Sequence, residues 1–152
     1  MDGDMMRIRR AVKVARAWGC AAVLALWGAG AQAQALIVTV DLSEQRMEVA
    51  EGGEITHDWP VSTARAGKCT PVGTYTPYLL KRMHYSTLYD NAPMPWSIFF
   101  LGNYAIHGTT QVDRLGQPAS AGCIRLAPEN AEILFETVRE VGMDQTRIVV
   151  RE

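Results

Sequence analysis

Residues 120–142, SAGCIRLAPENAEILFETVREVG, carry the clearest structural signal in this sequence. Pro128 suits the first turn of a helix, and Gly142 is placed to end one. Between them, apolar residues share one face at helical spacing, namely Ala131, Leu134, Phe135, Val138 and Val141. The pattern predicts a long amphipathic helix over 128–141 whose apolar face packs on the rest of the domain.

The sequence on both sides of this helix is typical of short strands. Thirteen glycines and seven prolines in 152 residues indicate many turns. Strands are predicted at 35–43, at 45–63 as a hairpin turning at Gly52-Gly53, at 74–83, 96–102, 104–108 and 146–152. Residues 84–95 and 109–122 are predicted to be irregular. We therefore expect a mostly β domain, an antiparallel sandwich or barrel-like fold, with one long helix after Cys123.

The first 33 residues differ in composition from the remainder. Five Lys and Arg residues precede a short run of small and apolar residues that ends in Ala-x-Ala. This order is typical of a cleaved secretory signal peptide, and the apolar run is short for a membrane span. The alternative is an uncleaved N-terminal anchor. We expect cleavage near Ala33 or Ala35, one domain over 34–152, and a periplasmic, secreted or cell-wall location without further membrane attachment.

Charge narrows the range of partners. Residues 34–152 retain 10 Lys and Arg against 14 Asp and Glu, so the exported part is net negative. This balance gives no reason to expect binding to nucleic acid or to an anionic membrane. Only Cys69 and Cys123 remain there, and an exported protein meets an oxidising compartment.

Cys123 and His107 are the residues most able to carry chemistry. A cysteine nucleophile needs a neighbouring base and backbone N–H donors for the developing oxyanion. Cys123 follows small residues that let backbone amides approach a ligand, and it precedes a segment that could begin a helical turn and favour a thiolate. His107 ends the apolar strand YAI. Spacing alone leaves a purely structural role open for both residues.

Four motifs, in this order along the chain, favour a catalytic over a purely structural role for these two residues. They are GKCTPVGTY (67–75), APMPWSIFFLGNYAIHG (92–108), AIHGTT (105–110) and SAGCIRLAPENAEILF (120–135). Together they resemble the L,D-transpeptidase catalytic domain, the YkuD (ErfK/YbiS/YcfS/YnhG) family, over roughly 36–150. The resemblance implies that family's fold and an exported cysteine acyltransferase acting on peptidoglycan stem peptides.

The resemblance also implies roles for individual residues. Cys123 would attack the third-residue carbonyl of a tetrapeptide stem, release D-Ala and form an acyl-enzyme, with His107 as general base. An amine would then complete a 3–3 crosslink, attach a wall-anchored lipoprotein lysine or exchange a D-amino acid. Amides near Gly122 and Cys123, in the loop that starts at Ser120, would form the oxyanion hole. Arg125 would organise the loop or meet a substrate carboxylate, while Gly108, Thr109 or Ser120 would orient the imidazole. We expect a monomer with no cofactor and no metal.

Ala121, Cys69 and the overall function each leave alternatives open. Ala121 stands where many family members have His, so no second imidazole is expected beside the thiol, and His84 is expected at the surface or in a loop. Cys69 is predicted to be a buried strand residue, with a Cys69–Cys123 disulfide or a zinc site as alternatives. A hydrolytic sibling (an L,D-carboxypeptidase or peptidoglycan–lipoprotein amidase) and a non-catalytic wall-binding module remain possible functions.

Overall fold

The computed structural model describes residues 35–152, so the predicted signal peptide over 1–33 lies outside the described residues. Within 35–152 the elements are β1 (Leu36–Asp41), β2 (Arg46–Glu51), β3 (Glu54–Pro60), β4 (Gly73–Tyr75), β5 (Leu79–Tyr85), β6 (Pro93–Leu101), β7 (Tyr104–Gly108), β8 (Ile124–Leu126), α1 (Pro128–Val141) and β9 (Thr146–Arg151). Short 3-10 turns lie at Val112–Arg114 and Met143–Gln145. No helix in this part of the chain is long and apolar enough to cross a membrane.

The strands form two sheets. The five-stranded sheet has the order β3-β2-β1-β9-β4, and the four-stranded sheet has the order β5-β6-β7-β8. The mostly β prediction with one helix is confirmed, but each sheet contains one parallel pair, β1 with β9 and β7 with β8. Parallel neighbours need a long crossover connection. The polar stretch between β7 and β8, predicted only as a loop, is such a crossover.

The 74–83 segment is not one strand. β4 pairs with β9 in the larger sheet, whereas β5 pairs with β6 in the smaller sheet. Pro77 lies between them, and proline cannot donate to a sheet ladder. The predicted irregular stretch 84–95 is likewise shorter than expected, because β5 runs to Tyr85 and β6 begins at Pro93. The hairpin at Gly52-Gly53 is confirmed.

The helix packs on the strands that carry the candidate site. α1 begins with Pro128 and ends at Val141, and the capping residue Gly142 has a φ of +100° and donates its N–H to the Val138 carbonyl. The helix contacts β6 and β7, and its Phe135 ring lies 5.5 Å from that of Trp96. The buried core combines residues of both sheets and the helix: Leu36, Val38, Val40, Met47, Ile98, Ile106, Ile124, Leu134, Phe135 and Ile148. Ile106 of β7 and Ile124 of β8 belong to this core, which therefore holds the two strands in place.

Candidate active site

The register of β7 and β8 places His107 and Cys123 on the same face of the sheet. Ile106 pairs with Ile124, and both side chains are fully buried in the core. The next pair along, His107 and Arg125, therefore faces the opposite side, because side chains alternate along a strand. Cys123 lies two residues before Arg125 and so shares that face. Cys123 itself lies in the bend just before β8, and its thiol lines the same cavity as the imidazole.

One cavity of about 510 Å³ contains both side chains. Its walls come from the end of the β5–β6 hairpin, from residues 103–111 and from the loop that precedes β8. Tyr104, Asn103 and Phe99 line it beside Cys123. The size suits a peptide segment, and the hairpin tip at 86–92 forms part of the wall.

His107 is held as a neutral base. It is 6% exposed, and its Nδ1 lies 2.8 Å from the Gly108 carbonyl oxygen. A carbonyl only accepts, so Nδ1 carries the proton and Nε2 presents a lone pair. Burial lowers the pKa of His107 to about 4, and the nearby charge of Arg125 acts in the same direction. The imidazole is thus unprotonated at neutral pH.

Cys123 is held as a neutral thiol. Its Sγ donates weakly to the Asn103 carbonyl at 3.7 Å. Burial raises the pKa of the thiol, partly offset by the Ala105 N–H and by Arg125. The expectation of a helical turn after Cys123 was wrong, since the residue leads into strand β8. Cys123 therefore has no helix N-terminus beside it that would stabilise a thiolate.

Ser120 and Gly122 fix the loop that carries Cys123. The Ser120 hydroxyl donates to the Cys123 carbonyl at 2.6 Å and accepts from the Gly122 N–H at 3.0 Å. Gly122 has a φ of +138°, and a Cβ there would lie 2.7 Å from the Tyr104 ring and 2.8 Å from the Cys69 carbonyl. Only glycine fits this position. The Gly122 amide is engaged with Ser120, which gives both residues a positioning role.

Gly108 and Thr109, which were both predicted to orient the imidazole, make different contacts. Gly108 is the residue whose carbonyl orients the imidazole. Thr109 instead accepts from the Gln111 N–H at 3.1 Å, and the Gln111 side chain accepts from the Arg125 guanidinium at 2.9 Å. Thr109 thus positions Arg125 through Gln111, and Arg125 lies half-buried in the cavity wall.

The sequence missed a second imidazole in the cavity. Ala121 provides no imidazole beside the thiol. His84 instead enters the cavity from β5 and packs edge-on against Phe99, with 5.1 Å between ring centroids. The expectation of a surface or loop position for His84 was therefore wrong. No local sequence pattern indicates this position, because it follows from the pairing of β5 with β6, in which His84 lies opposite Met94.

Cys69 is exposed in a loop, so the prediction of a buried strand residue was wrong, and both thiols are free. Its neighbour Thr70 takes the buried position, where its hydroxyl accepts from the Ala64 N–H and donates to the Gly122 carbonyl. Among residues 35–152, no three or more His, Cys, Asp or Glu side chains are grouped to hold a metal ion.

The chain folds as a mostly β domain with one helix, and one of its cavities is lined by a thiol and an imidazole. Residues 35–150 match the family model of the L,D-transpeptidase catalytic domain, YkuD, and the chain belongs to this family. A search of curated proteins finds no match.

Solved structures share this fold. An L,D-transpeptidase from Mycobacterium smegmatis is 21% identical with a TM-score of 0.71, and 78% of this chain covers 59% of that one. One from Stackebrandtia nassauensis is 26% identical with a TM-score of 0.68, over 78% of this chain and 56% of that one. L,D-transpeptidase 3 from Mycobacterium tuberculosis, with a faropenem-derived adduct, is 21% identical with a TM-score of 0.68, over 78% and 61%. The chain thus spans less than two thirds of the length of these proteins.

Proposed function

We propose that this protein is an exported L,D-transpeptidase that acts on peptidoglycan tetrapeptide stems through an acyl-enzyme on Cys123. The observation that carries the proposal is the register of β7 and β8, which brings Cys123 and His107 to one face within one cavity. Membership of the family supports the reaction class. An L,D-transpeptidase solved with imipenem and another with a faropenem-derived adduct support a reactive centre open to β-lactams in such folds.

In the acylation step the Cys123 sulfur attacks the carbonyl of the third stem residue. Its proton moves to His107 Nε2 as the bond forms, because thiol and imidazole are both neutral at rest. The Gly122 amide already donates to Ser120, so the Cys123 N–H is the donor we assign to the developing oxyanion. The imidazolium then protonates the D-Ala amine, which leaves, and a thioester remains.

In the second step an acceptor amine resolves the thioester. The amine gives its proton to His107 Nε2 and attacks the thioester carbonyl, and the sulfur leaves and recovers that proton. A neutral His107 is suited to this role, since it can accept a proton in both half-reactions. The acceptor is the side-chain amine of a second stem, a wall-anchored lipoprotein lysine or a free D-amino acid. Water as acceptor would make the protein a hydrolase.

Incubation with a disaccharide-tetrapeptide, with products read by mass, tests the proposal directly. We expect a dimer that has lost one D-Ala. A tripeptide as the sole product would replace transpeptidation with hydrolysis. Unchanged substrate, together with no imipenem adduct on the intact protein, would contradict both and favour a wall-binding module.

The pH dependence of acylation follows from the buried imidazole. Because burial lowers the pKa of His107 to about 4, we expect the rate of imipenem acylation at about pH 5 to equal that at about pH 6.5. An ordinary imidazole would be about half protonated at about pH 6.5 and roughly 97% protonated at about pH 5, and the rate would fall about 16-fold between them. Stopped-flow fluorescence measures the rate, and an acid limb near the ordinary histidine pKa would contradict the neutral-pair mechanism.

A stability control accompanies that measurement. The unfolded chain binds the His107 proton near its ordinary pKa, whereas the folded chain binds it only near 4. The free energy of unfolding therefore falls as pH decreases through this window, by up to about 3 kcal/mol. Circular dichroism at each pH must show the folded protein before a rate is compared.

We further propose that residues 1–33 direct export and are removed, which would place the enzyme in the periplasm or cell wall as a monomer. The basic and apolar pattern of that segment and the net negative charge of residues 34–152 support this location. Its partners there would be stem peptides and, for one acceptor, a lipoprotein lysine.

A further inference from the structure

The catalytic cavity is cationic in a domain that is net negative. Its lining residues include Arg65 and Arg125 but no Asp or Glu. Residues 35–152 as a whole carry 10 Lys and Arg against 14 Asp and Glu. The four ion pairs found within these residues lie elsewhere: Arg46–Asp58, Arg82–Glu136, Arg139–Glu136 and Arg151–Asp41. Both cavity arginines therefore lack a carboxylate partner from this part of the chain.

Arg125 is fixed in place with its charge uncompensated. Its backbone N–H donates to the Ser62 carbonyl at 2.9 Å and its carbonyl accepts from the Ser62 N–H at 3.0 Å. Its guanidinium has a neutral partner, the Gln111 side chain, at 2.9 Å. Burial lowers the pKa of Arg125, and the charges of Arg65 and Arg114 act in the same direction. A half-buried cation in this setting gains from an incoming anion.

Arg65 is tied to the loop that carries the nucleophile. Its backbone N–H and its guanidinium both donate to the Ser120 carbonyl, at 3.0 and 3.3 Å. Ser120 in turn holds Cys123 through its hydroxyl. An anion on Arg65 would therefore lie at the rim of the cavity, close to the reacting carbonyl.

We propose that Arg65 and Arg125 form a carboxylate-binding subsite, so that the enzyme prefers donor stems with a free side-chain carboxyl on the third-position diamino acid over the same stems amidated there. This inference rests on the proposed function. That carboxyl belongs to the residue whose carbonyl is attacked. A carboxylate accepts from a guanidinium through both oxygens, whereas a carboxamide of nearly the same shape offers one acceptor and turns an NH2 donor toward the cation.

Peptide binding to Cys123→Ala protein tests the subsite without turnover. Isothermal titration compares two tetrapeptides that differ only in a carboxylate or carboxamide on the diamino acid. We expect the acid to bind at least about tenfold more tightly, as for a charge-assisted pair, with the difference shrinking at high salt. Equal dissociation constants, or no measurable binding of either peptide, would overturn the proposal.

Arg65→Gln and Lys68→Gln provide a matched pair. Each removes one positive charge from an exposed position of the same loop, but only Arg65 lines the cavity. In the Cys123→Ala background we expect Arg65→Gln to reduce the acid-to-amide ratio several-fold and Lys68→Gln to leave it unchanged. Equal reductions in the two variants would show a general charge effect and overturn the subsite.

Different results would contradict the carboxylate subsite and the transpeptidase reaction. Active enzyme with no preference between the two peptides would remove the subsite and leave the transpeptidase proposal intact. A binding preference without any acyl-enzyme on Cys123 would do the reverse. Arg125→Lys, which keeps the charge but loses the planar fork, should retain part of the preference, and its complete loss in folded protein would contradict a mainly electrostatic origin.

Discussion

Cys123→Ala is expected to abolish imipenem acylation and tetrapeptide turnover, a loss of at least about 10³-fold, while the protein still folds. The sulfur is the nucleophile in the proposed reaction, and no other thiol of residues 35–152 lines the cavity. Its structural contribution is small, because its polar contact to the Asn103 carbonyl is long at 3.7 Å. Intact-protein mass spectrometry measures the adduct, and circular dichroism measures the fold.

Cys69→Ser is the matched control for this experiment. It removes the other thiol of residues 35–152, which is exposed and does not line the cavity. We expect it to acylate at the wild-type rate and to carry one adduct. Loss of the adduct in Cys69→Ser together with normal acylation of Cys123→Ala would exclude Cys123 as the nucleophile.

His107→Gln should resemble Cys123→Ala in turnover, since the amide cannot accept a proton from the thiol. It should differ at alkaline pH. There the thiol ionises without a base, and acylation should return in part as pH rises toward the raised pKa of Cys123. A flat alkaline profile would mean that His107 does more than remove this proton.

Local patterns in the sequence predict the helix and most strands correctly. The apolar face of α1, the Gly52-Gly53 hairpin and the 104–108 strand depend on neighbours within a few residues, which periodicity reports directly. The partition of 74–83 between two sheets and the parallel pairing of β7 with β8 depend on residues far apart in the chain. Neither leaves a signal in local propensity.

The predictions for the site also separate into those that local sequence determines and those that depend on distant residues. The motifs around His107 and Cys123 predict that the two side chains belong to one site, and both line one cavity, but the electrostatics of the thiol depend on whether a helix or a strand follows it. β8 spans only Ile124–Leu126, and its short sequence also suits a helical turn, which would lower the pKa of Cys123 where the structure raises it. The exposure of Cys69 was likewise missed, because it depends on Thr70 bonding across to Gly122.

Gly122→Ala should damage both stability and activity through a steric conflict that the sequence does not reveal. The new methyl would lie 2.7 Å from the Tyr104 ring and 2.8 Å from the Cys69 carbonyl, at a φ of +138° that side-chain-bearing residues rarely adopt. Overlap and backbone strain together should cost about 3 kcal/mol in the free energy of unfolding. Any shift that relieves them moves Cys123, so acylation should fall about 10²-fold.

Gly116→Ala separates strain from overlap in this prediction. Gly116 lies in the same crossover with a φ of +82°, but a Cβ there meets nothing within 4 Å. It should lose about 1 kcal/mol of unfolding free energy through backbone strain alone and keep its acylation rate. Urea unfolding and imipenem acylation of both variants measure the difference. If the two lost equal activity, the contact of Gly122 with Tyr104 and Cys69 would not be what positions the nucleophile.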